Sequence, residues 1–423
     1  MSSAESAHAE PQAAPLRLRE CPDCGLILHL PPLPRSAVAR CPRCDAVLRR
    51  RRSDPAVRAL AFAAAGLVLF AIALVEPFMN VEVRGLGSSL SLLRGPLVLE
   101  EYGYWPLAAV LLVTTLAAPC ARLAALAYVL AALRLDRPPQ HLYAVFRWTE
   151  WLGPWAMAEV FLLGAFVAYT RLTEIAQVDI GVAVYALGGL ALANAAADTL
   201  LDKEAVWQGL EHKGIVAEHA DPAGAEGSGP LTGCDSCGLV SRAVAHCPRC
   251  GAHARRRKPD SAARTWSLLL AAGILYIPAN LLPVMNVMSL GRGTSATIMG
   301  GVIELAGVDM WPLAALVFFA SITVPLLKLL GLTWLLLSVR LRAVRGLRRR
   351  TWLYRIVDHV GRWSMIDVFM VSILTALVRL GVLATITPGP AAVAFGAVVV
   401  LTMFAAGTFD PRLMWDAAGQ NRG

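Results

Sequence analysis

The chain has 423 residues, of which 57% are hydrophobic and only 16% charged, with a mean hydropathy of +0.56. Soluble globular chains run nearer about 45–50% apolar and about 25% charged, so a soluble globular fold is excluded and most of this apolar surface must face lipid. The net charge of +9 is concentrated in Arg49 to Arg52, Arg255 to Lys258 and Arg340 to Arg362. Beside apolar spans such runs read as cytoplasmic anchors of a membrane protein, not as a nucleic-acid interface, and no nucleic-acid partner is expected.

In chain order, residues 1–15 show no pattern and read as a disordered tail. Residues 16–52 hold a cysteine module, Cys21-x2-Cys24-x16-Cys41-x2-Cys44. Residues 53–202 form a first transmembrane domain with apolar spans near 59–79, 105–133, 155–171 and 180–200. Residues 203–230 are polar and rich in Gly, Ala and Glu, and read as a linker. A second module, Cys234-x2-Cys237-x9-Cys247-x2-Cys250, occupies residues 231–258. Residues 259–416 form a second transmembrane domain with spans near 265–285, 311–339, 363–385 and 391–409. Spans of about 20 apolar residues cross a bilayer as helices.

The restart is an internal repeat. At an offset of 206, Cys41-Pro-Arg-Cys44 matches Cys247-Pro-Arg-Cys250, Pro77-Phe-Met-Asn-Val81 matches Pro283-Val-Met-Asn-Val287, and Trp105-Pro-Leu-Ala-Ala109 matches Trp311-Pro-Leu-Ala-Ala315. At an offset of 208, Trp155-Ala-Met-Ala-Glu-Val-Phe161 matches Trp363-Ser-Met-Ile-Asp-Val-Phe369, and Asp202 and Trp207 match Asp410 and Trp415. The fold class is therefore an all-α polytopic membrane protein: a tandem repeat of zinc ribbon plus four transmembrane helices, eight in total. Alternating apolar residues in the loops 80–104 and 286–310 predict short β-strands there. Segments 45–58, 134–150, 251–264 and 340–362 are basic and the alternate loops are not, which puts both termini and both ribbons in the cytoplasm. Four helices per repeat makes the repeats parallel, not inverted.

A CxxC knuckle lets two thiolates grip one ion, and two knuckles complete a tetrahedral site. No apolar signal segment precedes the first module, so a reducing compartment is expected, where metal binding prevails over disulfides or thiol exchange. Four thiolates suit zinc or iron. With no open coordination position the expected role is structural, one zinc per ribbon. Gly25, Gly238 and Gly251 follow cysteines where a tight turn is needed. Cys120 lies alone in an apolar helix and reads as a small buried hydrophobe.

Ionisable residues within spans are costly and default to functional candidates, with a structural ion pair as the alternative. The repeat aligns Arg122 with Lys328, Glu159 with Asp367, Thr115 with Ser321 and Asn194 with Thr402. Each half thus carries a possible polar cluster, Thr115/Arg122/Glu159/Asn194 and Ser321/Lys328/Asp367/Thr402, which either sets helix register or gates a transported molecule. Lysine can shed its proton when desolvated and arginine cannot, which favours the second half as the gate. No GxxxxGK[ST], HExxH or GxSxG motif occurs, and no enzymatic activity is expected.

With these residues in view, the sequence resembles the paraquat-inducible protein A family of bacteria. The resemblance rests on the paired knuckles, on Tyr104-Trp-Pro-Leu-Ala108 and Met310-Trp-Pro-Leu-Ala314, on Pro325 and Lys328, on Gly361 to Phe369 (GRWSMIDVF) and on Phe409 to Asp416 (FDPRLMWD). The first half departs at Arg122, at Glu159 and at Asp202-Lys-Glu, which puts any mechanistic site in the second half. The resemblance implies an inner-membrane protein that moves membrane lipids between the two membranes of the envelope with a periplasmic MCE-domain partner. A non-transporting scaffold or redox-responsive regulator is the other class left open.

Overall fold

The computed structural model describes residues 17–31, 33–34, 36–52, 55–83, 86–173, 177–217, 230–242, 244–289, 292–378 and 384–420. The expected disordered tail at 1–15 lies outside the described residues. Among the described residues, eight helices are long and apolar enough to cross a membrane: Ala56–Val75, Trp105–Ala132, Leu142–Leu172, Val182–Leu200, Ser261–Leu281, Trp311–Arg340, Leu347–Leu377 and Pro390–Thr408. They are called the first to eighth spans below.

Two irregularities recur in both halves, and each has a local cause. Pro119 and Pro325 have no N–H, so the carbonyls of Thr115 and Ser321 lose their usual helical donor. The second and sixth spans widen into a π turn just there, at Val113–Ala117 and Phe319–Thr323. Hydroxyls fill the loosened turns: Thr115 Oγ1 donates to Leu111 O at 2.7 Å and Ser321 Oγ to Val317 O at 2.6 Å. The third and seventh spans break at a 3-10 turn, Gly153–Trp155 and Gly361–Met365. A fresh helix starts after each break, at Ala158 and Ile366, with Glu159 and Asp367 in its first turn. Unpaired N–H groups and the helix dipole favour a carboxylate at that place.

On the far side of the spans from the ribbons, each half carries a three-stranded antiparallel sheet. Met79–Val83 pairs with Leu86–Leu90 and Gln177–Ile180; Met285–Ser289 pairs with Arg292–Ala296 and Ala384–Pro388. The hairpins fall in the loops where alternation predicts them, and each gains a third strand from the loop after the third or seventh span. Asn80 and Asn286 lie in these strands. Gly181 and Gly389 are required at the exit from the third strand, because a Cβ would collide with the carbonyls of Pro77 and Pro283.

The halves meet where the third span crosses the seventh. The rings of Phe161 and Phe369, equivalent in the repeat, lie 5.4 Å apart. Gly164 allows the approach: a Cβ there would stand 2.9 Å from Phe369 Cβ and 3.0 Å from Ile366 O. A short helix, Arg94–Glu101, covers the seventh span from the first half, and Tyr104 Oη donates to Pro388 O at 3.1 Å. The seventh span is consequently the most enclosed, with 88% of its apolar window buried against 50% for the third. The stretch read as a linker opens with a folded helix, Lys203–His212, capped by Asp202, whose carboxylate accepts from Glu204 N and Ala205 N. Trp207 and Leu210 bury one face of that helix, which the polar composition of the stretch concealed.

Candidate functional sites: two thiolate centres and a buried polar cluster

Each cysteine module is a pair of knuckles at hairpin turns. The Sγ atoms of Cys21, Cys24, Cys41 and Cys44 all lie within 4.8 Å of one another, as do those of Cys234, Cys237, Cys247 and Cys250. The closest pairs are 3.4 Å (Cys21–Cys44), 3.6 Å (Cys24–Cys41), 3.5 Å (Cys234–Cys250) and 3.5 Å (Cys237–Cys247). A disulfide needs about 2.0 Å. Thiolates about 2.3 Å from a tetrahedral ion stand roughly 3.8 Å apart, so this donor set fits one metal ion per module. The residue after the second cysteine of a knuckle takes left-handed φ: Gly25 at 71°, Gly238 at 72° and Gly251 at 67°, with Asp45 at 62° in the remaining knuckle. All eight sulfurs are buried, so the ion would be closed to solvent and substrate.

The ribbons are crossed. Cys21, Cys24, Cys41 and Cys44 share a core with Leu332, Leu336, Tyr354 and Trp415 of the second half. Cys234, Cys237, Cys247 and Cys250 share one with Leu130, Phe146, Trp207 and Leu210 of the first. The polar contacts repeat the exchange by symmetry. Arg355 donates to Cys44 O at 3.0 Å, and its equivalent Arg147 to Cys250 O at 3.2 Å. Arg43 lies 5.5 Å over the Trp415 ring, and its equivalent Arg249 lies 5.5 Å over Trp207. Glu20 ties the ribbons to each other, accepting from Gly233 N at 2.6 Å. Beneath the second ribbon, burial pushes the Asp410 carboxyl up. The Arg412 guanidinium at 2.9 and 3.0 Å and the Lys258 N–H at 3.1 Å outweigh that and hold it below the usual carboxylate range.

Within the membrane the structure joins the predicted residues selectively. Arg122 donates to Asn194 Oδ1 at 2.7 Å and also pairs with Asp198. Lys328 donates to Thr402 Oγ1 at 2.9 Å and to the carbonyl of Gly361, at the seventh-span break, at 3.2 Å. The equivalent cations thus grip equivalent positions on the fourth and eighth spans. The acids diverge. Asp367 is 4% exposed, whereas Glu159 lies on the outside of the protein. The seventh span is enclosed by the first half and the third is not, so one repeat position meets two environments.

Lys328 and Asp367 share the seventh-span break without contacting each other: among the described residues no group hydrogen-bonds either carboxylate oxygen of Asp367. Ser321 neighbours that carboxylate, and its single hydroxyl proton is given to Val317 O, so one rotation would redirect it to Asp367. Arg171, whose guanidinium donates to Gly301 O at 3.1 Å, is the cation whose field reaches Asp367. Sequence reasoning missed Arg171, the Gly361 carbonyl and Asp198. Asp198 sits one turn beyond Asn194 on the same helical face, a spacing that signals it, but position 406 holds alanine and so hides it from a repeat comparison.

A family model described as Paraquat-inducible protein A matches residues 57–211 and 262–419, which are the two four-span halves without their ribbons. The chain belongs to the paraquat-inducible protein A family. Among its relatives, the Intermembrane transport protein PqiA of Escherichia coli (strain K12) is 34% identical over 94% of this chain and 95% of its own length. The Lipophilic envelope-spanning tunnel protein A of the same strain is 30% identical over 94% and 91%. The Probable intermembrane transport protein of Haemophilus influenzae is 25% identical over 95% and 96%. No solved structure matches the chain. The paraquat-inducible protein A match spans both cations, both acids and the polar positions of the fourth and eighth spans.

Proposed function

We propose that this multi-pass membrane protein is the inner-membrane component of an intermembrane lipid transport system, passing lipids to or from a periplasmic MCE-domain partner and so supporting envelope integrity. The similarity over more than nine-tenths of the chain to proteins named for intermembrane transport, and to one named an envelope-spanning tunnel protein, carries the reading. Ser321, Lys328, Asp367 and Thr402 are the proposed gate. A carboxylate sealed in a span with no hydrogen-bond donor among the described residues is costly to keep, which marks it for function before packing. Thr115, Arg122 and Asn194 are the register-setting counterpart in the first half, and Glu159 has no part in it. Transfer of labelled lipid from proteoliposomes containing the protein to an acceptor membrane, with the MCE partner present, tests the reading. No gain over protein-free vesicles would favour the scaffold or regulator.

Both thiolate centres are proposed to hold zinc, on the cytoplasmic side with both termini. Elemental analysis of purified protein should find about two zinc per chain, one for each four-thiolate site. Iron at that ratio would reverse the assignment. The ribbon residues would fix helices against one another, and the ion itself would supply only cross-linking.

The two sheets then face the periplasm and form part of the docking surface for the partner. Ser89 and Ser295 are exposed on these sheets. Ser89→Cys and Ser295→Cys should both react with a membrane-impermeant thiol reagent in intact spheroplasts. Labelling only after lysis would invert the topology.

A further inference from the structure

A crevice of about 800 Å³ opens between the halves on the ribbon side of the spans. It straddles the pseudo-twofold axis, because its walls carry repeat-equivalent pairs: Glu150 with Asp358, Trp151 with His359, and Gly153 with Gly361. It adjoins the proposed gate at Gly361, whose carbonyl accepts from Lys328, but Lys328 and Asp367 do not line it. Its rim is apolar and aromatic, with Trp155 and Phe404 in ring contact across the halves at 5.3 Å.

The charges of the crevice do not cancel internally. Arg122 pairs with Asp198 and Lys203 with Glu150. Asp358, on the opposite wall, is exposed and forms no ion pair among the described residues, the field of Lys258 being the cationic influence that reaches it. Arg122 Nε, beside Gly153, is a buried N–H without an acceptor among the described residues. The crevice is therefore lined by an arginine whose Nε lacks an acceptor among the described residues and by an exposed carboxylate that is in no ion pair among them. Its three acids exceed its arginine and lysine by one, which disfavours a ligand of net negative charge.

We propose that this crevice seats the headgroup of a zwitterionic phospholipid bearing a primary ammonium, its phosphate on Arg122 and its ammonium between Glu150 and Asp358. The aromatic rim takes the glycerol and the first carbons of the chains, which commits the ligand to a lipid and not to a free headgroup. The site lies at the depth of the ribbon-side leaflet, so it would collect lipid there. This deepens the lipid-transport reading and rests on it.

The test places the photo-cross-linking residue p-benzoylphenylalanine at Trp151, in the crevice wall, or at Leu270, which is 61% exposed on the fifth span. The full-length protein sits in vesicles of equal phosphatidylethanolamine and phosphatidylglycerol. Adducts at 151 should favour phosphatidylethanolamine about tenfold, the ratio expected for one extra charge-assisted contact. Those at 270 should show no preference. Glu150→Gln with Asp358→Asn should abolish the preference at 151, and this variant decides the matter if Arg122→Gln fails to fold. Equal capture of both lipids at 151, no capture there, or a preference that survives the acid changes would overturn the site. Suppression of the adducts by soluble glycerophosphoethanolamine would overturn it too, in favour of a free headgroup. Lipid transfer is measured on the same preparations. Transfer without headgroup preference sinks only this site, whereas preference without transfer sinks the transport reading.

Discussion

Cys44→Ser should loosen the second half of the protein, not the half to which the first ribbon is joined in sequence. The ribbon carrying Cys44 packs on Tyr354, Val357 and Trp415, and Arg355 is held by Cys44 O at 3.0 Å and Asp23 Oδ2 at 2.6 Å. Metal binding in a small four-ligand module contributes about 10–16 kcal/mol of folding free energy, so losing one ligand removes the ribbon as a packing surface. Hydrogen exchange in Leu347–Val360 should then accelerate at least about tenfold, the effect of a 1.4 kcal/mol loss of local protection. Leu142–Leu152 should stay near wild type. Cys250→Ser should do the reverse, because Arg147 donates to Cys250 O and the second ribbon covers Phe146 and Trp207. Loosening of Leu142–Leu152 by Cys44→Ser would contradict the crossed arrangement.

Lys328→Met combined with Asp367→Leu should give a protein that folds and engages its partner but does not transport. Replacing buried ions by apolar side chains of similar volume is often neutral or even stabilising by about 1–4 kcal/mol, so folded yield should hold. Thr402 keeps its bond to Val399 O at 2.9 Å, and Ser321 keeps Val317 O, so the hydroxyls are not stranded. What disappears is the ammonium that ties Gly361 of the seventh-span break to the eighth span, and the carboxylate beside it. Lipid transfer should fall at least about tenfold, equivalent to 1.4 kcal/mol or more. A double variant with full transfer, or full growth under envelope stress, would leave Lys328 as a register pin and end its role as a gate. Glu159→Leu is the matched control: it changes the equivalent acid at an exposed site and should move stability by no more than about 0.5 kcal/mol.

Features that depend on neighbours in sequence are legible in the sequence itself. Two knuckles at the right spacing force four sulfurs together whatever surrounds them, and 20 apolar residues span a bilayer whatever they touch. The duplication exposed Arg122/Lys328 and Asn194/Thr402 as matched positions, and each cation does bond its partner on the fourth or eighth span. Even the hairpins were visible, as alternation in loops 80–104 and 286–310. The third strand of each sheet was not, because it pairs with a strand two spans earlier in the chain and no turn joins the two.

What only the tertiary structure decided is where the two copies differ and where they trade contacts. A repeat comparison makes Glu159 and Asp367 equals; the packed halves bury one and expose the other, because the seventh span is covered by Arg94–Glu101 and by the third span. It likewise joins each ribbon to the helices that follow it, whereas the pseudo-twofold axis brings each ribbon over the opposite half. The crevice with Glu150 and Asp358 on its walls exists only because those halves face each other. Periodicity and spacing record what a residue does within its own turn or helix. Contacts across an axis between two similar surfaces leave no such period, since either partner could satisfy the same pattern until packing selects one.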